Sequence, residues 1–155
     1  MRTNGAVVLV VEDNHDDVTL IRRAFERTAL PKRVEVARGG AEALRYLWGV
    51  PPFEDRERHP LPQLILLDLK MPRVDGFEVL EIVKGNSRTR RIPVVVLTSS
   101  SESADVRRSY DLGANSYLVK PVAFDRLADV VAELEKYWLT LNTWPAAEVA
   151  VGADY

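Results

Sequence analysis

Acidic, hydroxyl and basic residues directly follow several short apolar segments of this chain, and together they could carry out phosphoryl transfer. Glu12 and Asp13 follow one apolar segment and Asp68 follows another, while Thr98 and Lys120 follow two later segments. An aspartate carboxylate is a competent nucleophile toward phosphorus and would form an acyl phosphate. The hydroxyl and the lysine could bind the oxygens of the transferred group, the lysine as a charge-assisted donor.

Three carboxylates in one pocket would need a cation, raised pKa values, or both. Two carboxylates about 4 Å apart repel each other by about 4 kcal/mol at an effective dielectric constant of about 20. A site built only from hard oxygen ligands fits Mg²⁺, which binds one or two carboxylates together with water and phosphate oxygens. Glu12, Asp13 and Asp68 are therefore the candidate Mg²⁺ ligands if the fold brings them together.

Each of these residues also has a simpler interpretation. A single aspartate after a strand is more often a helix cap or a solvated loop residue. The joint occurrence of an acid pair, an aspartate, a hydroxyl and a lysine after successive strands favours a site. A cluster of salt bridges without chemistry remains an alternative, although it leaves Thr98 without a role.

The apolar segments themselves predict a parallel sheet. Four of them are apolar throughout, which is typical of strands buried on both faces, and they cover residues 6–11, 64–67, 94–97 and 117–119. A fifth, weaker strand is expected over 34–37. Parallel strands have their carboxyl ends at one edge of the sheet, where α/β proteins bind their ligands.

Segments with helical spacing separate these strands. The first is capped by Asn14 or Asp16, and the others are predicted over 41–47, 75–84, 102–112 and from after Pro121 to about 141. Five alternations of strand and helix predict an α/β fold, a doubly wound five-stranded parallel sheet. The irregular segment 49–62 is expected to be an extended loop, and His15 and His59 are expected on the surface.

Length and composition limit the classes of function. The 155 residues fit one ordinary domain, predicted over 1–141 with a C-terminal extension over 142–155. A net charge of −2 gives no bulk attraction to nucleic acid or to an anionic membrane. The absence of cysteine excludes disulfides, thiolate metal sites and cysteine nucleophiles. No secretory signal or membrane span is apparent, so we expect a cytoplasmic protein without nucleic-acid or membrane partners.

The segments at these strand ends resemble the receiver domains of two-component response regulators, over residues 7–139. The matching stretches are 9–14, 66–72 followed by Asp75 and Gly76, 96–99 and 117–121. This resemblance implies the flavodoxin-like receiver fold, (βα)5. It also implies a phosphorylated signalling switch and no enzyme in the usual sense, since its only reactions would be its own phosphorylation and dephosphorylation.

The resemblance assigns a role to each site residue. It implies Asp68 as the phosphoacceptor, and Glu12, Asp13, Asp68 and the backbone carbonyl of Lys70 as Mg²⁺ ligands. Thr98 would follow the phosphoryl group, Lys120 would pair with it, and Tyr117 would swing inward. This change would reshape the face made by the fourth helix, the fifth strand and the fifth helix. In the family the Lys–Pro bond before the last helix is often cis, so the bond between Lys120 and Pro121 is expected to be cis.

A narrower resemblance concerns the partner. Residues 11–17 and 20–25 and the long loop before Leu64 are similar to the stand-alone regulators that partner bacterial phytochrome kinases. The implied function is a single-domain response regulator phosphorylated by a sensor histidine kinase, with a bacterial phytochrome as the candidate kinase. The alternative is a receiver that is not phosphorylated and acts as a structural adaptor.

Two other classes of protein with this architecture fit the residues less well. A flavodoxin-like cofactor binder would need a phosphate loop rich in serine, threonine and glycine after the first strand, where this chain is acidic. A phosphatase that uses an aspartyl phosphate would need a second acid two positions after its nucleophile. Lys70 stands there instead.

The C-terminal region carries more apolar surface than the sheet needs. Its large side chains are Tyr137, Trp138, Leu139, Leu141 and Trp144. Apolar patches of this kind are rarely left open and often mark interfaces. We therefore hypothesise a homodimer through the last helix and the C-terminal extension. The alternative is that the tail folds back onto its own domain.

Overall fold

The computed structural model describes residues 5–145, in which five strands alternate with five α-helices. The strands are β1 (Ala6–Val11), β2 (Lys32–Ala37), β3 (Leu64–Leu67), β4 (Val94–Thr98) and β5 (Ser116–Val119). The helices are α1 (His15–Glu26), α2 (Gly40–Trp48), α3 (Gly76–Gly85), α4 (Ser103–Asp111) and α5 (Phe124–Leu134). This order confirms the predicted (βα)5 architecture.

All five strands are parallel and lie in one sheet, in the order β2-β1-β3-β4-β5. The chain runs from β1 outward to β2 and then returns across β1 to β3. The sheet therefore reverses its direction of winding between β1 and β3. In open α/β sheets this is the place where ligands bind, beyond the carboxyl ends of the strands.

The sheet separates two apolar cores. Successive side chains of a strand point to opposite faces, so Val8 and Val10 join one core while Leu9 and Val11 join the other. The helices α1 and α5 cover the first core, and α2 and α3 cover the second. Because β1, β3 and β4 are buried along their whole length, the positions after them are held rigidly.

Some details of the backbone differ from expectation. The second strand begins at Lys32, two residues before the weak apolar segment that predicted it. The last helix is α-helical only to Leu134, and a π-helical extension continues it over Glu135–Leu141. Steps of three and four residues do not distinguish these two helix types. The bond between Lys120 and Pro121 is trans, so the expected cis bond is wrong. Within residues 5–145 the cis peptide bond joins Pro51 and Pro52 instead.

The segment after α2 is a packed loop and not an extended one. The Arg56 guanidinium donates hydrogen bonds to the carbonyls of Tyr46 and Leu47 at the end of α2, and to that of His59. The ring of His59 lies edge-on to Tyr46 and Phe53. The surface position expected for His59 is therefore wrong, because tertiary packing half-buries it.

The C-terminal end is partly folded back. The indole Nε1 of Trp144 donates to the backbone carbonyl of Trp138 at 3.1 Å, while Tyr137 and Leu141 remain 50% and 63% exposed. The boundary between residues 1–141 and 142–155 stays a prediction, and residues 146–155 lie outside the described part. Within that part no helix is long and apolar enough to cross a membrane.

Candidate functional site

Backbone hydrogen bonds extend the sheet by one residue beyond three of its strands and fix the residues that follow. The Glu12 N–H donates to Ala37 O at 3.0 Å, and the Asp68 N–H donates to Val11 O at 3.0 Å. The Lys120 N–H donates to Thr98 O at 2.7 Å. These bonds bring Glu12, Asp68 and Lys120 to the same edge of the sheet, as the sequence predicts.

The start of α3 packs closely against the residue that follows β3. Asp75 and Glu78 form a capping box at this helix end, which fixes where α3 begins. A Cβ atom at Gly76 would lie 2.2 Å from Asp68 O and 2.6 Å from Leu69 Cα. Only glycine therefore allows this approach, which holds the backbone of Asp68 in place.

Three carboxylates meet at the edge between β1 and β3. One oxygen from each of Glu12, Asp13 and Asp68 lies within 4.8 Å of the other two. Glu12 and Asp68 are buried, whereas Asp13 is exposed and leaves the cluster open to solvent on its side. Three carboxylate oxygens at this spacing, open on one side, fit a hard divalent cation that keeps several water ligands.

The ammonium group of Lys120 sits inside this acidic cluster. Its Nζ lies 2.6 Å from Glu12 Oε1, 2.8 Å from Asp17 Oδ2 and 3.9 Å from Asp68 Oδ2. Asp17 was not among the residues predicted for this site. The sequence did offer a signal for it. Asn14 was a predicted cap of α1, and it accepts a hydrogen bond from the Asp17 N–H, so Asp17 lies in the first turn of that helix at the same edge of the sheet.

Burial and nearby charges shift the pKa values of Glu12 and Lys120. Burial, together with the negative charge of Asp68, raises the pKa of Glu12 to about 7, although the hydrogen bond from Lys120 opposes the change. Burial alone would lower the pKa of Lys120, but its hydrogen bonds to Asp17 and Glu12 raise that pKa overall. Lys120 is thus positively charged throughout the physiological range.

The hydroxyl of Thr98 is buried and has no hydrogen-bond partner among the described residues. A buried polar group left unpaired costs about 1–3 kcal/mol, so such groups need an explanation. Thr98 ends β4, and the bond from the Lys120 N–H to its carbonyl places it beside that lysine in the sheet. Its Oγ1 is therefore an unused donor at the end of the strand that adjoins Lys120.

The remaining predicted residues, Lys70 and Tyr117, contact α4 and the loop that precedes it. Lys70 is exposed in the loop after β3, and its ammonium group pairs with Asp105 Oδ2 at 3.2 Å. The Tyr117 hydroxyl donates to the carbonyl of Ser100 at 2.9 Å, and its ring packs against the core beneath α2 and α3. A groove of about 240 Å³ opens beside Lys120, lined in part by Asp17, Ser99 and Val122.

The chain matches the family model described as the response regulator receiver domain over residues 8–132. Among curated proteins it is 45% identical to the probable methanogenesis regulatory protein FilR2 of Methanothrix harundinacea, over 90% of this chain and 87% of the relative. It is 39% identical to the response regulator Rcp1 of Synechocystis, over 91% of this chain and 94% of the relative.

The solved structures that this chain resembles are also response regulators. The phosphorylated cyanobacterial phytochrome response regulator RcpA is 37% identical with a TM-score of 0.85, covering 92% of this chain and 99% of its own. The Mn²⁺-bound form of Rcp1 is 38% identical with a TM-score of 0.82, over 91% and 99%. The bacteriophytochrome response regulator AtBRR is 45% identical with a TM-score of 0.72, over 91% and 100%.

Proposed function

The chain belongs to the response regulator receiver family, and we propose that it is a single-domain response regulator that accepts a phosphoryl group on Asp68 from a sensor histidine kinase. The observation that carries this proposal is the position of Asp68. Its carboxylate shares one pocket with two further carboxylates, and the ammonium of Lys120 lies 3.9 Å from its Oδ2.

The proposed reaction moves one phosphoryl group from nitrogen to oxygen. A carboxylate oxygen of Asp68 attacks the phosphorus of a phosphohistidine on the kinase, and an O–P bond forms as the N–P bond breaks. The electron pair of the broken bond returns to the imidazole nitrogen, which takes up a proton. In this proposal the Thr98 hydroxyl, which has no other partner among the described residues, and the Lys120 ammonium, 3.9 Å from Asp68 Oδ2, would donate hydrogen bonds to the oxygens of the transferred group.

Glu12, Asp13, Asp68 and the backbone carbonyl of Lys70 would hold Mg²⁺ in this proposal. The spacing of the three carboxylates supports it, and the structure of the similar Rcp1 contains Mn²⁺. When bound, the cation would neutralise the negative charge that the acceptor carboxylate and the incoming phosphoryl oxygens share.

Thr98 and Tyr117 are the proposed switch residues. Phosphorylation adds about −1.5 to −2 charges and three acceptor oxygens to the pocket, which would draw in the Thr98 hydroxyl. As Thr98 moves, it would vacate space into which the half-buried Tyr117 ring could swing, away from its present hydrogen bond to Ser100. Among its residues α4 buries only Ser109, which suits a change of the face formed by α4, β5 and α5.

The proposed partners are a sensor histidine kinase and a second copy of the chain. Similarity to response regulators of cyanobacterial and bacterial phytochromes supports a phytochrome as the kinase. No nucleic-acid or membrane partner is proposed. A cytoplasmic location is part of the proposal, because a histidine kinase is phosphorylated by ATP in the cytoplasm. The chain would not be an enzyme beyond its own phosphorylation and dephosphorylation.

Intact-protein mass spectrometry after incubation with acetyl phosphate and Mg²⁺ tests the proposal. We expect one added phosphoryl group in the unmodified protein, and none in Asp68→Asn or without the metal. Asp75→Asn serves as a control, since Asp75 also lies near the end of β3 but caps α3. If neither acetyl phosphate nor a panel of histidine kinases labels the protein, the structural adaptor becomes the better interpretation.

The proposed homodimer rests on the π-helical extension and the residues after it. Tyr137 and Leu141 are large apolar side chains that remain at least half exposed on this extension. Sedimentation equilibrium over micromolar concentrations should show a dimer that Tyr137→Asp and Leu141→Asp dissociate. Val50→Asp, at an exposed apolar position of the loop after α2, should leave it intact. A monomeric unmodified protein would contradict the dimer.

A further inference from the structure

The ammonium group of Lys120 uses two of its three N–H donors on carboxylates and keeps the third. It donates to Glu12 Oε1 at 2.6 Å and to Asp17 Oδ2 at 2.8 Å. At 3.9 Å, Asp68 Oδ2 is beyond hydrogen-bond distance. One donor is therefore free on the side of Asp68, where a phosphoryl group would sit.

The two carboxylates that hold Lys120 are not equivalent. Glu12 belongs to the acidic cluster that fits a divalent cation, and Asp17 does not. A carboxylate that ligates a cation has less negative charge to offer to a lysine. With the cation in place, Asp17 is the carboxylate still free to hold the ammonium group of Lys120.

Asp17 is itself held in place by the start of α1. Its backbone N–H donates to the side chain of Asn14 at 2.9 Å. The next residue, Val18, is buried in the core beneath α1, as is Ile21 one turn later. The carboxylate therefore projects from a fixed helix end, and its side chain is 35% exposed where it meets the 11% exposed side chain of Lys120.

We propose that Asp17 is a positioning residue, which orients the ammonium group of Lys120 so that its third N–H points to the phosphoryl group on Asp68. The proposal rests on the proposed function and deepens it. It assigns a role to a carboxylate that lies outside the metal cluster and acts only through Lys120. It also links the phosphorylated pocket to the first turn of α1.

Beryllofluoride, which mimics a phosphoryl group on aspartate, tests this role with Mg²⁺ present. We expect Asp17→Asn to weaken its binding by about tenfold, which is the order expected for loss of one charge-assisted hydrogen bond. The control is Asp16→Asn, which removes the same charge from the same helical turn at an exposed position. It should change binding by less than about twofold, because Asp16 is exposed to screening by solvent and makes no ion pair with Lys120.

A double-mutant cycle separates positioning from general electrostatics. In a Lys120→Met background, Asp17→Asn should have almost no further effect, because the residue through which it acts is gone. An equal loss of beryllofluoride binding with and without Lys120 would overturn the proposal. So would an Asp17→Asn protein that binds as well as the Asp16→Asn control.

A second readout does not depend on phosphorylation. An immobilised lysine gives two separate signals for its ε-methylene protons in a ¹H–¹³C NMR spectrum, and a freely rotating one gives a single averaged signal. With Mg²⁺ present, Lys120 should show two signals in the unmodified protein and in Asp16→Asn, but one in Asp17→Asn. If the unmodified protein binds no beryllofluoride, the proposed function fails, and this spectrum still decides whether Asp17 positions Lys120. Two signals in Asp17→Asn would overturn the positioning role.

Discussion

The hydroxyl of Tyr117 donates a hydrogen bond to the backbone carbonyl of Ser100 at 2.9 Å, two residues beyond Thr98. The side chain of Ser100 in turn donates to Asp105 Oδ2 at 2.6 Å, and Asp105 pairs with Lys70 at 3.2 Å. Hydrogen bonds with Ser100 and Lys70 lower the pKa of Asp105, so this carboxylate stays ionised. These contacts tie β5 and α4 to the loop that follows Asp68.

The Tyr117→Phe substitution removes only the hydroxyl of this linkage. We expect the free energy of unfolding to fall by about 1 kcal/mol, the usual value of one intramolecular hydrogen bond. Urea denaturation measures this change. Tyr110→Phe is the matched control, since Tyr110 lies on α4, is 49% exposed and should show no loss. Equal stability of the two variants would mean that the bond to Ser100 contributes nothing.

Divalent cations should stabilise the folded protein through the three clustered carboxylates. A ligand at a hundred times its dissociation constant adds about 2.7 kcal/mol to the stability of the state that binds it. Millimolar Mg²⁺ or Mn²⁺ should therefore raise the midpoint of thermal unfolding of the unmodified protein. The shift should shrink strongly in Asp13→Asn and persist in Asp16→Asn. Equal shifts in both variants would place the metal elsewhere.

Gly76 is expected to tolerate no side chain. In Gly76→Ala the new Cβ would lie 2.2 Å from Asp68 O, so either α3 or the backbone of Asp68 must move. We expect a loss of about 1–3 kcal/mol, as for other overpacked sites, together with slower phosphorylation of Asp68. Gly85→Ala, on the same helix, meets no atom within 4 Å and should be neutral. The prediction would be contradicted if Gly76→Ala unfolded at the same temperature as the unmodified protein and were phosphorylated at the same rate.

The π-helical extension is anchored by a buried ion pair. The ammonium group of Lys32 lies 3.3 Å from Glu135 Oε2, with the two side chains 8% and 3% exposed. Thr28 donates its hydroxyl hydrogen to the other carboxylate oxygen of Glu135, and Lys32 also donates to the carbonyl of Phe25 at the end of α1. The pair thus joins the start of β2, the end of α1 and the π-helical extension.

Removal of one partner from this pair should cost far more than removal of both. Glu135→Gln should lower the free energy of unfolding by about 3 kcal/mol, because it leaves the charge of Lys32 buried without a counter-ion. The double variant Lys32→Met with Glu135→Leu should recover most of that loss. Urea denaturation measures both, with Glu133→Gln on the exposed side of α5 as the control. A double variant less stable than Glu135→Gln would argue against this account.

The sequence alone was sufficient for the strands and for the acidic edge of the sheet. The bounds of β1 and β3 agree with the predicted segments 6–11 and 64–67, because short uninterrupted runs of β-branched residues and leucine suit strands that are covered on both faces. Once those strands are parallel neighbours, the residues after them must share one edge. Glu12, Asp68 and Lys120 meet for that reason.

Contacts between residues far apart in the chain could not be predicted in this way. Asp17 and Lys120 are 103 positions apart, and Thr28 and Glu135 are 107 apart. The periodicity that predicts a helix gives its buried face but does not tell which residue of another element will oppose each position. Packing of α1 against α5 and the sheet selected these partners, just as packing against Tyr46 and Phe53 placed His59. Local patterns thus determined the elements and the edge of the sheet that carries the acids, whereas the partners of Lys120 and Glu135 depended on how the finished layers fit together.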